Sequence, residues 1–166
     1  HWTVTPDQLL FLPGLVSGLN ISCRAVCPPG AGVLVQTPIY PPFLSAPVNQ
    51  GLHLNIAELL VTRFKQGLHY SIDYNAFEAA IQSHTRLFML CNPHNPVGRC
   101  YTREELINLA EICTRNDLII CADEIHCDLL LENSSHLPIA SLSPEIAKSC
   151  ITLMSPSKTF NIASLN

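Results

Sequence analysis

Short, unbroken apolar runs separated by segments of helical periodicity organise this chain. Val33-Leu34-Val35-Gln36, Leu87-Phe88-Met89-Leu90-Cys91, Leu118-Ile119-Ile120-Cys121-Ala122 and Cys150-Ile151-Thr152-Leu153-Met154 are continuous rather than alternating. Such a run predicts a strand covered on both faces, as in a parallel sheet. Between the runs the apolar positions follow a helical repeat. Gly14 opens a helix to about Val26, with Leu15, Leu19 and Val26 on one side. Asp73 to Ser83 reads as a second helix, with Phe77, Ala80 and Ile81 apolar. Thr102, with Glu105 three residues on, forms a capping box and starts a third helix that reaches about Arg115. Leu9 to Leu12 is a further short strand candidate, Pro28-Pro29-Gly30 a turn, and Leu52 to Phe64 the source of another strand. Alternating strands and helices are the signature of βαβ units, so the expected class is α/β with a mostly parallel sheet between helical layers. No internal repeat or low-complexity segment interrupts the pattern.

Composition narrows the function classes. Hydrophobic residues make up 48% of the chain and charged ones 13%, enough to build a core and unlike a disordered tail. The length suits one domain. A net charge of −4 without a Lys/Arg cluster argues against nucleic acid or an anionic membrane as partner. No apolar run approaches the roughly 20 residues of a membrane span, and no signal peptide opens the chain. Among eight cysteines no pair has C-x-x-C spacing, and Cys91, Cys121 and Cys150 lie in or at the end of predicted buried strands. Cys23 and Cys27 stand four apart on the first helix, where packing explains them. Buried free thiols in a cytoplasmic protein are therefore expected, and a zinc site is not.

Three strands end in chemistry. The run to Cys91 leads into Asn92-Pro93-His94-Asn95-Pro96-Val97-Gly98-Arg99, the run to Ala122 into Asp123-Glu124-Ile125-His126, and the run to Met154 into Ser155-Pro156-Ser157-Lys158. Ligands of open α/β sheets bind beyond the carboxyl ends of the strands. The pattern thus predicts an Asn, an Asp with a His, and a Lys along one edge. Lys158 is one of only three lysines. An amine partly withdrawn from water beside small hydroxyl residues becomes nucleophilic or basic.

These motifs, in this order and spacing, resemble the pyridoxal-5'-phosphate enzymes of fold type I, the aspartate aminotransferase superfamily. The fuller strings Thr37 to Phe43, Cys91 to Arg99, Asp123 to Asp128, His136 to Leu142 and Ser155 to Asn161 look like its cystathionine β-lyase-type carbon–sulfur lyase branch. The resemblance implies a three-layer α/β/α cofactor-binding domain and pyridoxal phosphate as cofactor. It implies that Lys158 carries the cofactor as a Schiff base and serves as general base. Asp123 would pair with the ring nitrogen and Asn95 with the phenolic oxygen and the substrate carboxylate. Tyr40 would stack on the ring, with a loop aromatic covering the core as the plainer alternative. Ser155 and Ser157 would contact the phosphate, as would the amides of Leu15 and Val16 at the start of the first helix, unless those amides are merely solvated. His126 stands where related aminotransferases often carry a Tyr; it either hydrogen-bonds the phenolic oxygen or is a structural histidine.

The implied reaction is β-elimination from an amino acid bearing a sulfur substituent, to pyruvate, ammonia and a thiol. The core residues do not separate this from transamination. A truncated, inactive binding or scaffold module is the third reading, because the superfamily's carboxylate-binding Arg comes from a C-terminal domain and Arg99 does not match it. The chain opens at His1-Trp2 without a methionine and stops at Ser164-Leu165-Asn166 just past the lysine motif. Residues 1–166 are accordingly expected to be part of a cofactor-binding domain, with an N-terminal segment and a small C-terminal domain outside it. A homodimer is the expected assembly of the whole protein.

Overall fold

The computed structural model describes residues 2–65, 67–130 and 135–163; the expected chain ends at His1 and at Ser164 to Asn166 lie outside them. After one 3-10 turn at Pro6–Gln8, the elements in chain order are α1 (Leu15–Val26), β1 (Gly32–Thr37), α2 (Pro42–Asn49), β2 (His53–Glu58), β3 (Leu60–Phe64), β4 (Gly67–Ser71), α3 (Tyr74–Ala79) and β5 (Thr85–Cys91). There follow α4 (Arg103–Arg115), β6 (Ile119–Asp123), α5 (Pro144–Lys148), β7 (Cys150–Leu153) and α6 (Pro156–Thr159).

Five strands form one sheet in the order β2-β1-β5-β6-β7, and every neighbouring pair is parallel. The continuous apolar runs have the cause expected of them: alternate residues of each strand face opposite helical layers. Val33, Val35, Leu87, Met89, Cys91, Cys121 and Leu153 pack with Leu19 and Cys23 of α1 and Phe43 and Ala46 of α2. Leu34, Phe88, Leu90, Ile120 and Ala122 pack on the other side with Phe77 of α3 and Leu106, Leu109 and Cys113 of α4. The result is a three-layer α/β/α arrangement. No helix of the described residues is long and apolar enough to cross a membrane.

Local chemistry fixes the helix starts. Gly14 caps α1 at φ 94°, a conformation a side chain resists. Thr102 and Glu105 form both bonds of the predicted capping box of α4. Because α1 precedes β1 and the strands run parallel, the first turn of α1 lies at the carboxyl edge of the sheet. Gly18 brings the helix close to β7 there; a Cβ on it would lie 3.1 Å from Leu153 Cδ2.

Three expectations need correction. Leu9 to Leu12 is not a strand. It has no pairing partner among the described residues, and Leu10 and Phe11 are almost fully exposed. Leu52 to Phe64 yields two strands rather than one, because the chain leaves the main sheet at the buried Leu59. The second of them, β3, pairs antiparallel with β4 as a separate exposed ribbon that the sequence reading did not anticipate. The helix at Asp73 is capped by that residue's side chain, as its position suggests, but ends at Ala79. The turn at residues 82–85, closed by Gln82 N–H to Thr85 Oγ1 at 2.9 Å, takes over before Ser83.

The close approach at Gly18 gives a test. Gly18→Val should force α1 away from β7 at a cost of about 1–3 kcal/mol, the usual range for overpacking. Gly18→Ala should lie within about 1 kcal/mol of the parent, since better helix propensity offsets a contact Leu153 can relieve. Urea denaturation of the two variants checks this; equal stabilities would mean that α1 is not seated on β7 as described.

Candidate active site at the carboxyl edge of the sheet

Asp123 ends β6 and shares its face with Cys121, toward α1, while Glu124 points to the opposite layer. Asp123 is 3% exposed, and its Oδ1 accepts the N–H of Ile125 at 3.0 Å. Among the described residues no cationic side chain pairs with it. Burial raises its pKa from an ordinary 3.8 to about 6; the Ile125 bond opposes this and the neighbouring Glu124 charge adds to it. A carboxylate held in this way lacks a positive partner.

The backbone around it is braced. Asn92, fully buried, donates its N–H to Asp123 O at 3.0 Å and accepts Tyr101 N–H on Oδ1 at 3.0 Å. Glu124 N–H donates to Leu153 O at 2.9 Å, joining β6 to β7. The buried Glu124 carboxylate accepts from His136 Nε2 at 3.0 Å and from Ile139 N–H at 3.2 Å, which anchors residues 136–139 beneath the strand ends. The sequence reading gave Glu124 and His136 no role. The available signal was a second acidic residue directly after Asp123, whose opposite strand face demanded a separate partner.

Asn95 is half-buried in the loop after β5, and its carbonyl accepts Tyr40 N–H at 2.9 Å, so the two expected cofactor residues are neighbours. Tyr40 is 38% exposed. His126 is half-buried, and its pKa is lowered by burial and then by the nearby charge of Lys158. That coupling puts Lys158 and His126 in one neighbourhood. Thr159 fastens it by donating to Asp128 Oδ2 at 2.9 Å, tying α6 to the loop after β6.

Lys158 itself is exposed on the single turn of α6 and forms no ion pair among the described residues. The withdrawal from water expected for it is therefore not found, because no described segment lies over that turn. Ser155 caps α6: its Oγ accepts Ser157 N–H at 3.2 Å and donates to Ser157 Oγ at 3.0 Å. Leu15 and Val16 occupy the first turn of α1, where backbone amides have no intrahelical acceptor.

These residues line an open edge rather than an enclosed chamber. A cleft of about 330 Å³ lies between residues 93–100 and the segment of His126, Leu129 and Leu130. It takes in Asn95 and His126 but not Asp123, Tyr40, Ser155, Ser157 or Lys158. Among the described residues no group of three His, Cys, Asp or Glu side chains is placed to hold a metal ion.

Comparison with known proteins agrees with this geometry. Residues 1–165 match the family model described as aminotransferase class I and II. Cystathionine beta-lyase PatB of Bacillus subtilis (strain 168) is 42% identical over 165 residues, which are 99% of this chain and 42% of that protein. The crystal structure of OvoB superposes with a TM-score of 0.91 at 45% identity, over 99% of this chain and 42% of that one. The PLP-bound C-S lyase from Staphylococcus hominis superposes with a TM-score of 0.91 at 34% identity, over 99% of this chain and 41% of that one. The chain thus spans about two-fifths of the length of these relatives. With a family match along nearly its whole length, on the parallel sheet and strand-end residues described above, the chain belongs to the class I and II aminotransferase family.

Proposed function

We propose that the protein is a pyridoxal-phosphate-dependent carbon–sulfur β-lyase, acting on amino acids with a sulfur substituent on the β-carbon, and that residues 1–166 are part of its cofactor-binding domain. The observation that carries this is the 42% identity to a cystathionine β-lyase along 99% of the chain, spanning all the strand-end motifs. The cofactor fits one feature of the structure in particular. Asp123 is a buried carboxylate without a cation among the described residues, and a protonated ring nitrogen would be a partner for it.

When bound, the cofactor supplies an electron-withdrawing ring that stabilises negative charge at the substrate's α-carbon. The protein's part is to hold, orient and exchange protons. Asp123 would keep the ring nitrogen protonated. Asn95 would donate to the phenolic oxygen and the substrate carboxylate, and Tyr40 would cover a ring face. Ser155, Ser157 and the amides of Leu15 and Val16 would meet the phosphate. Lys158 would carry the cofactor and then, as a free amine, take the α-proton at Nζ. His126, whose pKa is lowered chiefly by burial, would hydrogen-bond the phenolic oxygen. Departure of a thiol leaves a product that hydrolyses to pyruvate and ammonia. The eight thiols are all free, as expected of a cytoplasmic protein, and a homodimer is the assembly that the resemblance implies for the whole protein. Transamination is the second reading, favoured by the family model's description.

Given cystathionine without a keto acid, the protein should release a thiol, pyruvate and ammonia, and Lys158→Arg should abolish the release. Turnover only with an added keto acid, yielding a new amino acid, would replace the lyase reading by the transaminase one.

Asp123 gives a signed pH test. Its folded pKa lies above its unfolded one, so between about pH 4 and 6 the folded state binds more protons and stability falls as pH rises. The cost is complete above about pH 6 and is at most about 3 kcal/mol. Asp123→Asn should therefore stabilise the cofactor-free protein at pH 7–8 but not at pH 4, while cutting turnover on the order of 100-fold. Denaturation midpoints of both proteins across this range read the difference; one that does not vary with pH would contradict the burial argument.

A further inference from the structure

Tyr40 and Asn95 belong to loops far apart in sequence, and the side chain between them has so far had no role. His94 is 2% exposed. Its Nε2 lies 2.8 Å from the carbonyl oxygen of Pro38, in the Tyr40 loop. A carbonyl only accepts, so Nε2 carries the hydrogen. Burial lowers the pKa of His94, leaving a neutral ring whose Nδ1 must be the acceptor. The Tyr101 hydroxyl, 2.8 Å from Nδ1, is the donor. Tyr101 also lies 3.3 Å from Gln36 Oε1, but it has one hydrogen, and the shorter bond takes it. Tyr101 is 3% exposed, so this relay runs inside the protein from Tyr101 through His94 to the Tyr40 loop. The Arg99 guanidinium lies over the Tyr101 ring at 4.9 Å and holds the phenol in place.

We propose that His94 is a positioning residue, clamping the Tyr40 loop onto the Asn95 loop and so setting the spacing of two side chains that contact the cofactor. This inference rests on the cofactor reading above. The loops are also joined by the Tyr40 N–H bond to Asn95 O at 2.9 Å, but one bond leaves a hinge, whereas a second at Pro38 removes the rotation. Pro38 is exposed, so without the imidazole its carbonyl turns to water at little cost in stability. Loop registry is what would be lost.

The test compares His94→Phe, which keeps a ring but neither polar atom, with His94→Gln, which keeps a donor and an acceptor. Each full-length protein is titrated with pyridoxal phosphate, following affinity and the visible circular dichroism of the bound cofactor, alongside thermal melting. His94→Phe should weaken binding roughly tenfold, the scale of one buried hydrogen bond, and reduce the dichroism. His94→Gln should recover most of both. A lower melting temperature in His94→Phe with parental affinity and dichroism would overturn the proposal, leaving His94 a core residue. If His94→Phe does not fold, Tyr101→Phe, which removes only the hydroxyl that orients the ring, should lower affinity and dichroism in the same direction, and parental values would overturn the proposal. A parent that binds no pyridoxal phosphate overturns the cofactor reading and this inference with it. A parent that binds, with variants that match it, overturns this inference alone.

Discussion

A carboxylate buried at the end of β6, with no cation beside it among the described residues, is the constraint on which the rest of the site depends. Putting the charged form of Asp123 out of water is unfavourable, and the single Ile125 amide offsets only part of that cost. A fold tolerates such a group when its surroundings cannot relax around it. Here they cannot, because Asn92, just past β5, and Leu153 of β7 hold the backbone on either side. The strand order β5-β6-β7 places a rigid neighbour at each flank, and α1 closes the face toward which Asp123 points.

The adjacent acid shows how one strand serves two ends. Glu124 faces the other layer, where His136 and the Ile139 amide satisfy it completely. Two neighbouring carboxyl groups thus differ in kind: Glu124 is paired and structural, Asp123 is unpaired and available. Removing either partner of the buried Glu124–His136 pair would strand a polar group and loosen the strand ends under Asp123. The loops above are held in the same fashion, with Tyr101 and His94 tying the loop of Asn95 to the loop of Tyr40.

Much of this was legible in the sequence. The continuous runs at Val33, Leu87, Leu118 and Cys150 carry a two-sided burial that only a parallel sheet between helices provides, and Thr102 with Glu105 names its helix start outright. The strand-end residues Asn95, Asp123 and Lys158 fall on one edge because parallel strands can end nowhere else. Leu9 to Leu12 misled because an apolar run signals a partner surface without saying what that surface is. The β3–β4 ribbon was hidden because most of its residues are exposed, so burial leaves no periodic mark on them. His94 and the Pro38 carbonyl it binds are distant in sequence, and a buried polar contact of that kind leaves no local pattern. Lys158 was expected to be drawn from water, a property that depends on what covers α6 rather than on its own flanking residues.

The direct measurement is the protonation state of the cofactor's ring nitrogen, read by nitrogen NMR of 15N-labelled pyridoxal phosphate bound to the protein. With Asp123 as the buried partner, the nitrogen should remain protonated and hydrogen-bonded from pH 7 to 8, and Asp123→Asn should shift it to the unprotonated form. A nitrogen already unprotonated in the parent at pH 7, or one indifferent to Asp123→Asn, would contradict the assignment of that carboxylate as the centre of the site.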